Sequence, residues 1–351
     1  MAEANTYHQP RCYIDNKEII DEIKGQVSFP GNNQLNNIQL TISNPDLQHQ
    51  ALLYKTIKFY LNNGSLDSVP FFTGIITQIN PNEKFTNIIA IDPRILIHGE
   101  NGYTINITDK QNYDGYTLGA YLYSFISTYV NSETTKLGVD MLSDTNPTIS
   151  LSGVRDNYSV YGLALEKIKE EIDDDDYLNP LGYFFDVIED YTAPQLVIKK
   201  EKLTTSTPAL TFSYGDGLSS YSYTRRNTPN IGRYKNGEFK YTSRPSGDSV
   251  IDISADLASP DEQRSIAIKQ ILLEQQTKEE ISLQVTKAYD IGLGTIVRLN
   301  VPEDDISGNH RVVSKSVTFG KSSKCSLKLN KPAPKLSDYV PSQMEQKLKS
   351  L

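Results

Sequence analysis

The 351-residue chain contains no tryptophan, three methionines and only two cysteines, Cys12 and Cys325. Two cysteines at opposite ends of a chain provide neither zinc-ligand spacing nor a disulfide framework. We expect two buried free thiols, and a single bridge between them is the alternative that the sequence leaves open. Neither arrangement predicts a metal site or a redox function.

No stretch approaches the roughly 18 apolar residues that a membrane-spanning helix needs. The first residues, MAEANTYHQPRCYIDN, also lack the apolar core of a secretory signal. We therefore expect a protein that is made and folded in a cytoplasm and does not insert into a membrane. The formal net charge of -8 and the pI of about 5.2 argue against a chain that binds polyanions over its whole surface.

Motifs of enzyme active sites are also missing. The chain contains four histidines: His8, His49, His98 and His310. None has metal-binding or catalytic spacing, and no phosphate-binding glycine loop or nucleophile elbow is present. The run Asp173–Asp176 lacks the ligand spacing of a calcium loop and is interpreted as a solvated helix end. The sequence therefore predicts no enzyme, no cofactor, and no catalytic, cofactor-binding or metal-binding residues.

Alternation of apolar and polar side chains predicts antiparallel strands near the end of the chain, in residues 295–330. Such period-two alternation is typical of half-buried strands. The first and last of three strands alternate cleanly. In the middle strand Val313 and Val317 are in phase, and Lys315 breaks the pattern.

Residues 56–92 repeat this plan: a strand, a turn-rich loop, a second strand opened by Gly74, a turn, and a third strand. Loop lengths differ and identities are few, but the shared order predicts an internal duplication of a β-unit. A chance likeness between two antiparallel meanders is the alternative. With strand signals at 11–43, the first unit has about five or six strands, enough for a small barrel.

Between the two units the pattern changes to a helical period. The first predicted helix has one apolar face, formed by Leu118, Tyr121, Leu122, Phe125, Ile126 and Tyr129. The second begins near Asp156, with an apolar face formed by Val160, Leu163, Ala164 and Ile168. A hairpin is predicted at residues 183–188 and 195–199. These elements indicate an α/β insertion.

The sequence thus predicts a β-dominated α+β fold with two related small antiparallel β-barrels and α/β insertions. A capping-box pattern at Ser259-Pro260-Asp261-Glu262 adds a short helical insertion near the end of the chain. The predicted segments are a first barrel at 1–97, an inserted α/β domain at 98–202, a second barrel at 203–245 and 278–331, a helical insertion at 246–277, and a linker and docking tail at 332–351.

Basic residues and tyrosines are interleaved between positions 221 and 244. This combination can neutralise phosphates and stack on bases, but the same residue types anchor protein interfaces. The acidic balance of the whole chain favours protein contact. The residues are Arg225, Arg226, Arg233, Lys235, Lys240 and Arg244, with Tyr221, Tyr223, Tyr234 and Tyr241.

Two short motifs carry a resemblance to a known family. The strand Phe72–Ile75 reads Phe-x-Gly-Ile, and Ser307–Val312 reads Ser-Gly-x-x-Arg-Val. Together with the order of elements over residues 10–331, they resemble the baseplate hub proteins of contractile phage tails. This group includes the phage late control protein D family and the N-terminal half of type VI secretion spike proteins.

The resemblance implies a structural protein in the baseplate of a virion tail, assembled in the host cytoplasm. Three chains with two related barrels each would form a ring that joins a hexameric tail tube to a trimeric central spike. The implied partners are the tube, spike, wedge and tape-measure proteins. DNA would pass through the lumen without specific binding, which suits an acidic chain because like charges repel.

Two other functions remain open at this point. Abundant tyrosine is also typical of a β-rich carbohydrate-binding or adhesin module of a tail tip. A hydrolase with unfamiliar motifs is the third alternative. The motifs do not distinguish a contractile tail from a non-contractile one, and they identify neither the host nor the spike partner.

Overall fold

The computed structural model describes much of the chain. The described residues are 10–31, 34–44, 49–61, 69–98, 104–131, 137–140, 146–170, 183–190, 193–200, 207–225, 227–240, 248–253, 259–260, 263–264, 266–267, 270–271, 279–286, 289–301, 306–320 and 323–329. The acidic run Asp173–Asp176 and the tail at 332–351 lie outside these ranges. Within the described residues, every helix is too short or too polar to cross a bilayer.

Strands dominate the fold, as predicted. In chain order they are β1 Arg11–Ile14, β2 Lys17–Ile19, β3 Ile23–Phe29, β4 Asn37–Ile42, β5 Thr56–Tyr60, β6 Phe72–Pro81, β7 Thr86–Ile91, β8 Gly138–Val139, β9 Tyr183–Ile188, β10 Gln195–Lys200, β11 Leu210–Tyr214, β12 Gly217–Arg225, β13 Ile231–Tyr234, β14 Gly237–Lys240, β15 Val250–Asp252, β16 Glu279–Val285, β17 Ile296–Asn300, β18 Gly308–Phe319 and β19 Lys324–Leu329. The helices are α1 His49–Leu52, α2 Ile107–Tyr113, α3 Leu118–Phe125 and α4 Val160–Glu170, with a 3₁₀ helix at Pro93–Ile97 and a π-helix at Ile126–Val130.

One 13-stranded sheet contains most of the strands, in the order β17-β11-β12-β16-β19-β18-β3-β4-β7-β6-β5-β1-β2. Two five-stranded units appear in it with the same topology. The first unit is β3-β4-β7-β6-β5, and the second is β12-β16-β19-β18-β17. All neighbours within each unit are antiparallel. The predicted internal duplication is therefore confirmed at the level of strand order.

The two units also agree in register. In each, the middle strand of the meander has a bulge against the strand that follows it. The register shifts between Ile76 and Gln78 in β6, and between Val312 and Ser314 in β18. An extra residue in one strand of an antiparallel pair bends the strand and moves its later side chains to the opposite face. The bulge takes Val313 out of phase with Val317, whereas Lys315 lies after the bulge, in phase with Val317, and is a charged residue at a buried position.

The sixth strand differs between the units. In the second unit β11 pairs in parallel with β17 and, over two residues, with β12, while β17 pairs with β18, so six strands close into a barrel. Gly215 and Gly217 allow the sharp turn between β11 and β12, because both have positive φ. In the first unit β1 pairs antiparallel with β5, and the described strands stay open between β2 and β3.

A single hydrophobic core lies under both units. Its members come from residues 12–90 and from residues 212–329. Equivalent strands contribute equivalent residues, for example Ile38 in β4 and Ile281 in β16, both fully buried. The predicted free thiols are confirmed, because Cys12 and Cys325 are buried in this core and unbridged.

The inserted segment has a separate core, centred on α3, α4 and the three-stranded sheet β8-β10-β9. The predicted hairpin is confirmed as β9 and β10. The predicted apolar faces of both helices are buried as expected, with one correction. Tyr129 is 36% exposed, because the helix turns into a π-helix at Ile126 and the wider turn rotates later residues off the predicted face.

A second small sheet, β14-β13-β15, is separate from the 13-stranded sheet. It contains β13 and β14 from the predicted second-barrel segment and β15 from the predicted helical insertion, so it crosses the predicted boundary at 245/246. Beyond it, Gln263 donates its backbone N–H to Ser259 O, which starts the short helix that the capping pattern predicted. The domain boundaries themselves remain predictions.

Candidate assembly interface

The two units are joined by a strand pair, β3 with β18. In this seam Phe29 lies opposite Lys315, Ser28 opposite Ser316, and Gly25 opposite Phe319. The first half of β18 pairs with β17 on the same side, and its second half pairs with β3. The seam is therefore formed by the part of β18 that extends beyond its own barrel partner.

Lys315 is the buried charged residue of the seam, with 6% of its surface exposed. Its Nζ atom donates a hydrogen bond to Tyr289 O at 3.1 Å. The same atom lies 4.5 Å from the ring centroid of Phe29 and 5.0 Å from that of Phe71. Aromatic faces attract cations, so two rings and a carbonyl replace the water that Lys315 loses on burial.

The bulge of β18 makes close contact with the segment that follows β3. Gly31 has a φ of 70°, and a Cβ atom at this position would lie 2.0 Å from Val313 O. No side chain fits at such a distance. A glycine is therefore required where β3 leaves the seam, because both the backbone conformation and the space exclude other residues.

β6 is the strand equivalent to β18. The side of β6 that corresponds to the seam side of β18 is open. The register places Ile76 at the position of Val312, and Ile79 and Asn80 at the positions of Lys315 and Ser316. β5 pairs with β6 only from Phe72 to Ile75. Among the strands that the structure describes, none covers the rest of β6 on that side.

β12 is the strand equivalent to β3. The side of β12 that corresponds to the seam side of β3 is open. By the register, Thr224 takes the position of Ser28. On the side away from β16, β12 is paired with β11 at Gly217 and Leu218 only, as far as the described strands show. Asn80 and Thr224 are both exposed.

A buried ion pair lies where the first unit meets the insertion. Arg94 is 1% exposed, and its guanidinium group donates to Asp92 Oδ2 at 2.6 Å, to Phe185 O at 2.6 Å and to Gln34 O at 3.1 Å. Burial alone would lower the pKa of Arg94, but the charge and hydrogen bonds of Asp92 raise it above its ordinary value. The pair connects the end of β7 to β9 of the insertion.

The carboxylate of Glu189 makes a second contact between the same parts. It accepts the backbone N–H of Thr73 at 2.6 Å and the Thr73 hydroxyl at 2.7 Å. Burial raises the pKa of Glu189 to about 7; the two bonds from Thr73 and the charge of Lys58 oppose the rise, and Asp92 adds to it. Sequence patterns had indicated neither contact, because both join residues about a hundred positions apart.

The histidines and cysteines that the sequence analysis considered as catalytic or metal-binding residues do not form a cluster in the described structure. Nε2 of His310 lies 3.1 Å from Ile306 O, and the ring of His98 packs on Tyr161. His8 and the side chain of His49 lie outside the described part of the chain. Within that part, no group of three or more His, Cys, Asp or Glu residues could hold a metal ion.

Burial raises the pKa of the Cys12 thiol to about 12 and that of Cys325 to about 11, so neither is a reactive thiolate.

The basic cluster is partly neutralised. Lys240 forms an ion pair with Asp248, and Arg233 lies 3.8 Å from Asp252, both on the small sheet β14-β13-β15. Its members also divide between β12 and that small sheet. The positions of Arg226, Tyr241 and Arg244 lie outside the described residues. Within the described residues, the members of the cluster therefore do not lie on one sheet, and two of them are paired with carboxylates.

Comparisons with sequences find nothing: no family model matches the chain, and no curated protein matches it. Solved structures do match. The tail protein from Neisseria meningitidis MC58 has a TM-score of 0.62 at 12% identity, covering 92% of this chain and 96% of that protein. The 43 kDa tail protein of prophage MuSo2 from Shewanella oneidensis has a TM-score of 0.64 at 12% identity, covering 93% and 99%.

A third similar structure is a chain of the PdpA–VgrG complex, with a TM-score of 0.50 at 10% identity. The match covers 94% of this chain and 66% of that one. At such identities the likeness establishes a shared fold. The chain therefore has the fold of these tail proteins over nearly its whole length.

Proposed function

We propose that the chain is a structural hub of a phage or phage-like tail baseplate. In this role it forms a trimeric ring that joins a hexameric tail tube to a trimeric central spike and lines the DNA channel. The observation that carries the proposal is the internal duplication, two five-stranded units of one topology and one register joined edge to edge. The fold shared with two bacterial tail proteins supports it.

The duplication resolves a mismatch of symmetry. A ring of six similar units matches a sixfold tube, whereas a ring of three identical chains matches a threefold spike. Three copies of a chain with two units satisfy both requirements. Closed rings need a head-to-tail interface in which one surface binds a different surface of the next copy.

The seam inside the chain provides a template for that interface. If the seam between β3 and β18 repeats between chains, the open side of β6 pairs with the open side of β12 in the next copy. The register then places Asn80 opposite Thr224, as Ser316 lies opposite Ser28 within the chain. Exposed strand edges pair readily with further strands, so each edge satisfies the other.

The hydrogen-bond phase of β6 suits this pairing. Asn82 donates its amide to Phe85 on the β7 side, so the alternation directs the backbone groups of Ile79 and Pro81 to the open side. Pro81 has no amide proton, and the pairing would centre on Ile79. Asn80 and Thr224 would then form a non-hydrogen-bonded pair, with Cα atoms about 4.5 Å apart.

A disulfide between copies tests the ring. Cα atoms about 4.5 Å apart fall within the range that a disulfide spans. The double variant N80C/T224C should form, on mild oxidation, a covalent closed trimer that is visible by denaturing electrophoresis without reductant. The single variants N80C and T224C are matched controls and should yield no trimer. The native cysteines are buried and do not interfere.

Three outcomes would contradict the proposal. The first is a wild-type chain that stays monomeric at micromolar concentration by light scattering and forms no ring in negative-stain images. The second is a ring whose copies do not cross-link in the double variant, which would reject this interface. The third is a ladder of open oligomers without a closed trimer, which would reject the ring.

The remaining parts of the proposal concern partners. Tube, spike, wedge and tape-measure proteins would contact the faces of the ring after assembly in the host cytoplasm. The acidic chain would let DNA slide through without specific binding, because like charges repel. The proposed role is structural and requires no catalysis. Gel-shift titration of the assembled ring with duplex DNA should show no binding at physiological salt.

A further inference from the structure

Tyr54 has an unusual backbone conformation. It follows α1 in the tight turn before β5 and has a φ of 64°. Residues other than glycine, asparagine and aspartate rarely adopt this left-handed region. The side chain is also 73% exposed, so little of it is packed inside its own chain. The chain therefore maintains a strained aromatic residue on its surface.

The internal duplication shows which residue suits this position. In the second unit the equivalent residue is Gly294, with a φ of 77°. Tyr54 donates its amide to Ile76 O at 2.9 Å, and Gly294 donates its amide to Val312 O at 2.8 Å. The two turns are therefore built alike, and one carries glycine where the other carries tyrosine.

The turn of Tyr54 lies beside the open side of β6. Its amide bonds to Ile76, and the bulge at Thr77 follows at once, where β5 no longer covers β6. In the second unit the equivalent bulge at Val313 contacts Gly31, in the segment that leaves the seam. If the seam repeats between chains, the segment that follows β12 of the next copy reaches Thr77 and its neighbour Tyr54.

We propose that Tyr54 is an anchor residue for a second copy of this chain, covered by the segment after β12 when the ring forms. This inference rests on the proposed ring. Strained residues persist where a function compensates for the strain, and partly apolar tyrosine rings are frequent anchors of interfaces. Gly294 needs no aromatic side chain, because the seam beside it is formed within one chain by β3 and β18.

Replacement of Tyr54 by its counterpart separates the two roles of the residue. In Y54G the thermal unfolding midpoint of the dilute monomer should stay or rise, because glycine adopts this φ without strain. The dissociation constant of the ring, measured by mass photometry or sedimentation, should rise about tenfold or more, as expected for loss of an anchor. Y54N is a second variant, since asparagine also tolerates this conformation.

Y123A is the matched control, because Tyr123 is 64% exposed on α3 and lies in the insertion. It should leave the dissociation constant unchanged. A Y54G ring as tight as the wild type would overturn the anchor role while leaving the ring intact. A Y54G monomer less stable than the wild-type monomer would show that the aromatic side chain of Tyr54 stabilises its own chain. A wild-type chain that does not assemble would overturn both the anchor and the proposed function.

Discussion

Thr77 and Val313 occupy equivalent places, each as the extra residue of a bulge five positions after its strand begins at Phe72 or Gly308. A bulge shifts the phase of a strand, so its position is under strong constraint in a two-faced sheet. Agreement at this position makes a chance likeness between the two units a poor explanation. One of the two bulges lies in the seam and the other at an open edge.

The cation of the seam gives a first prediction. K315A should lower the free energy of unfolding by about 2–4 kcal/mol, because it leaves a cavity between Phe29 and Phe71. K315M keeps the apolar stem and loses only the charge and the bond to Tyr289, so its loss should be about 1–2 kcal/mol. Urea unfolding at one protein concentration measures both. Equal losses in the two variants would exclude a role for packing.

The buried ion pair gives a second prediction. R94M leaves Asp92 charged and buried without its main partner, and should lower stability by about 3–5 kcal/mol. The double variant R94M/D92N removes both charges, so its loss should be smaller than the sum of the two single losses. R94K tests geometry, because one ammonium group cannot also reach Phe185 O and Gln34 O. Additive losses in the double variant would contradict coupling between the two charges.

The contact between Glu189 and Thr73 gives a third prediction, on the pH dependence of stability. Burial raises the pKa of this carboxyl from its ordinary value of 4.5 to about 7 in the folded chain. Between these values folded Glu189 binds more protons than unfolded Glu189, so its contribution to stability falls as pH rises from about 4.5 to 7 and is constant outside that window. The expected loss is roughly 2–4 kcal/mol.

E189Q should remove this pH dependence, because glutamine does not titrate and can still bond to Thr73. The difference between wild type and E189Q, from unfolding curves at pH 4 to 8, isolates the contribution of Glu189. E83Q, at an exposed turn, changes the net charge equally and should keep the wild-type profile. An E189Q profile parallel to the wild type would reject the assignment.

Three glycines give a graded fourth prediction. G153A should be nearly neutral, because a Cβ atom there meets nothing within 4 Å. G115A should cost about 1–2 kcal/mol, from the positive φ of 82° alone. G31A has a similar φ and also meets Val313 O at 2.0 Å, so it should cost clearly more than G115A. Equal losses in G31A and G115A would show that the bulge moves freely away from the new methyl group.

Local patterns in the sequence were sufficient for most strands of the large sheet, for the hairpin and for the buried faces of two helices, but they did not indicate the small sheet β14-β13-β15. Period-two alternation follows from the pleat, and helical stripes follow from the turn, so both can be read without knowledge of the partners. The repeated plan of three strands at 56–92 and 295–330 was visible for the same reason, whereas the order of the strands in the sheet was not. The pattern failed at Val313 and at Tyr129, where a bulge and a π-helix changed the phase. Lys315 broke it in another way, as a charged side chain at a buried position.

Contacts between distant segments depended on the tertiary structure. The alternation of β3 and β18 shows which residues face the core, but hydrogen bonds at a strand edge join backbone groups that every residue carries. No side-chain pattern therefore identifies Phe29 as the neighbour of Lys315, or Phe185 as the partner of Arg94. The sequence did not single out Tyr54 either, because a tyrosine at this position fits no special pattern. Only its backbone conformation and its equivalence to Gly294 make it unusual.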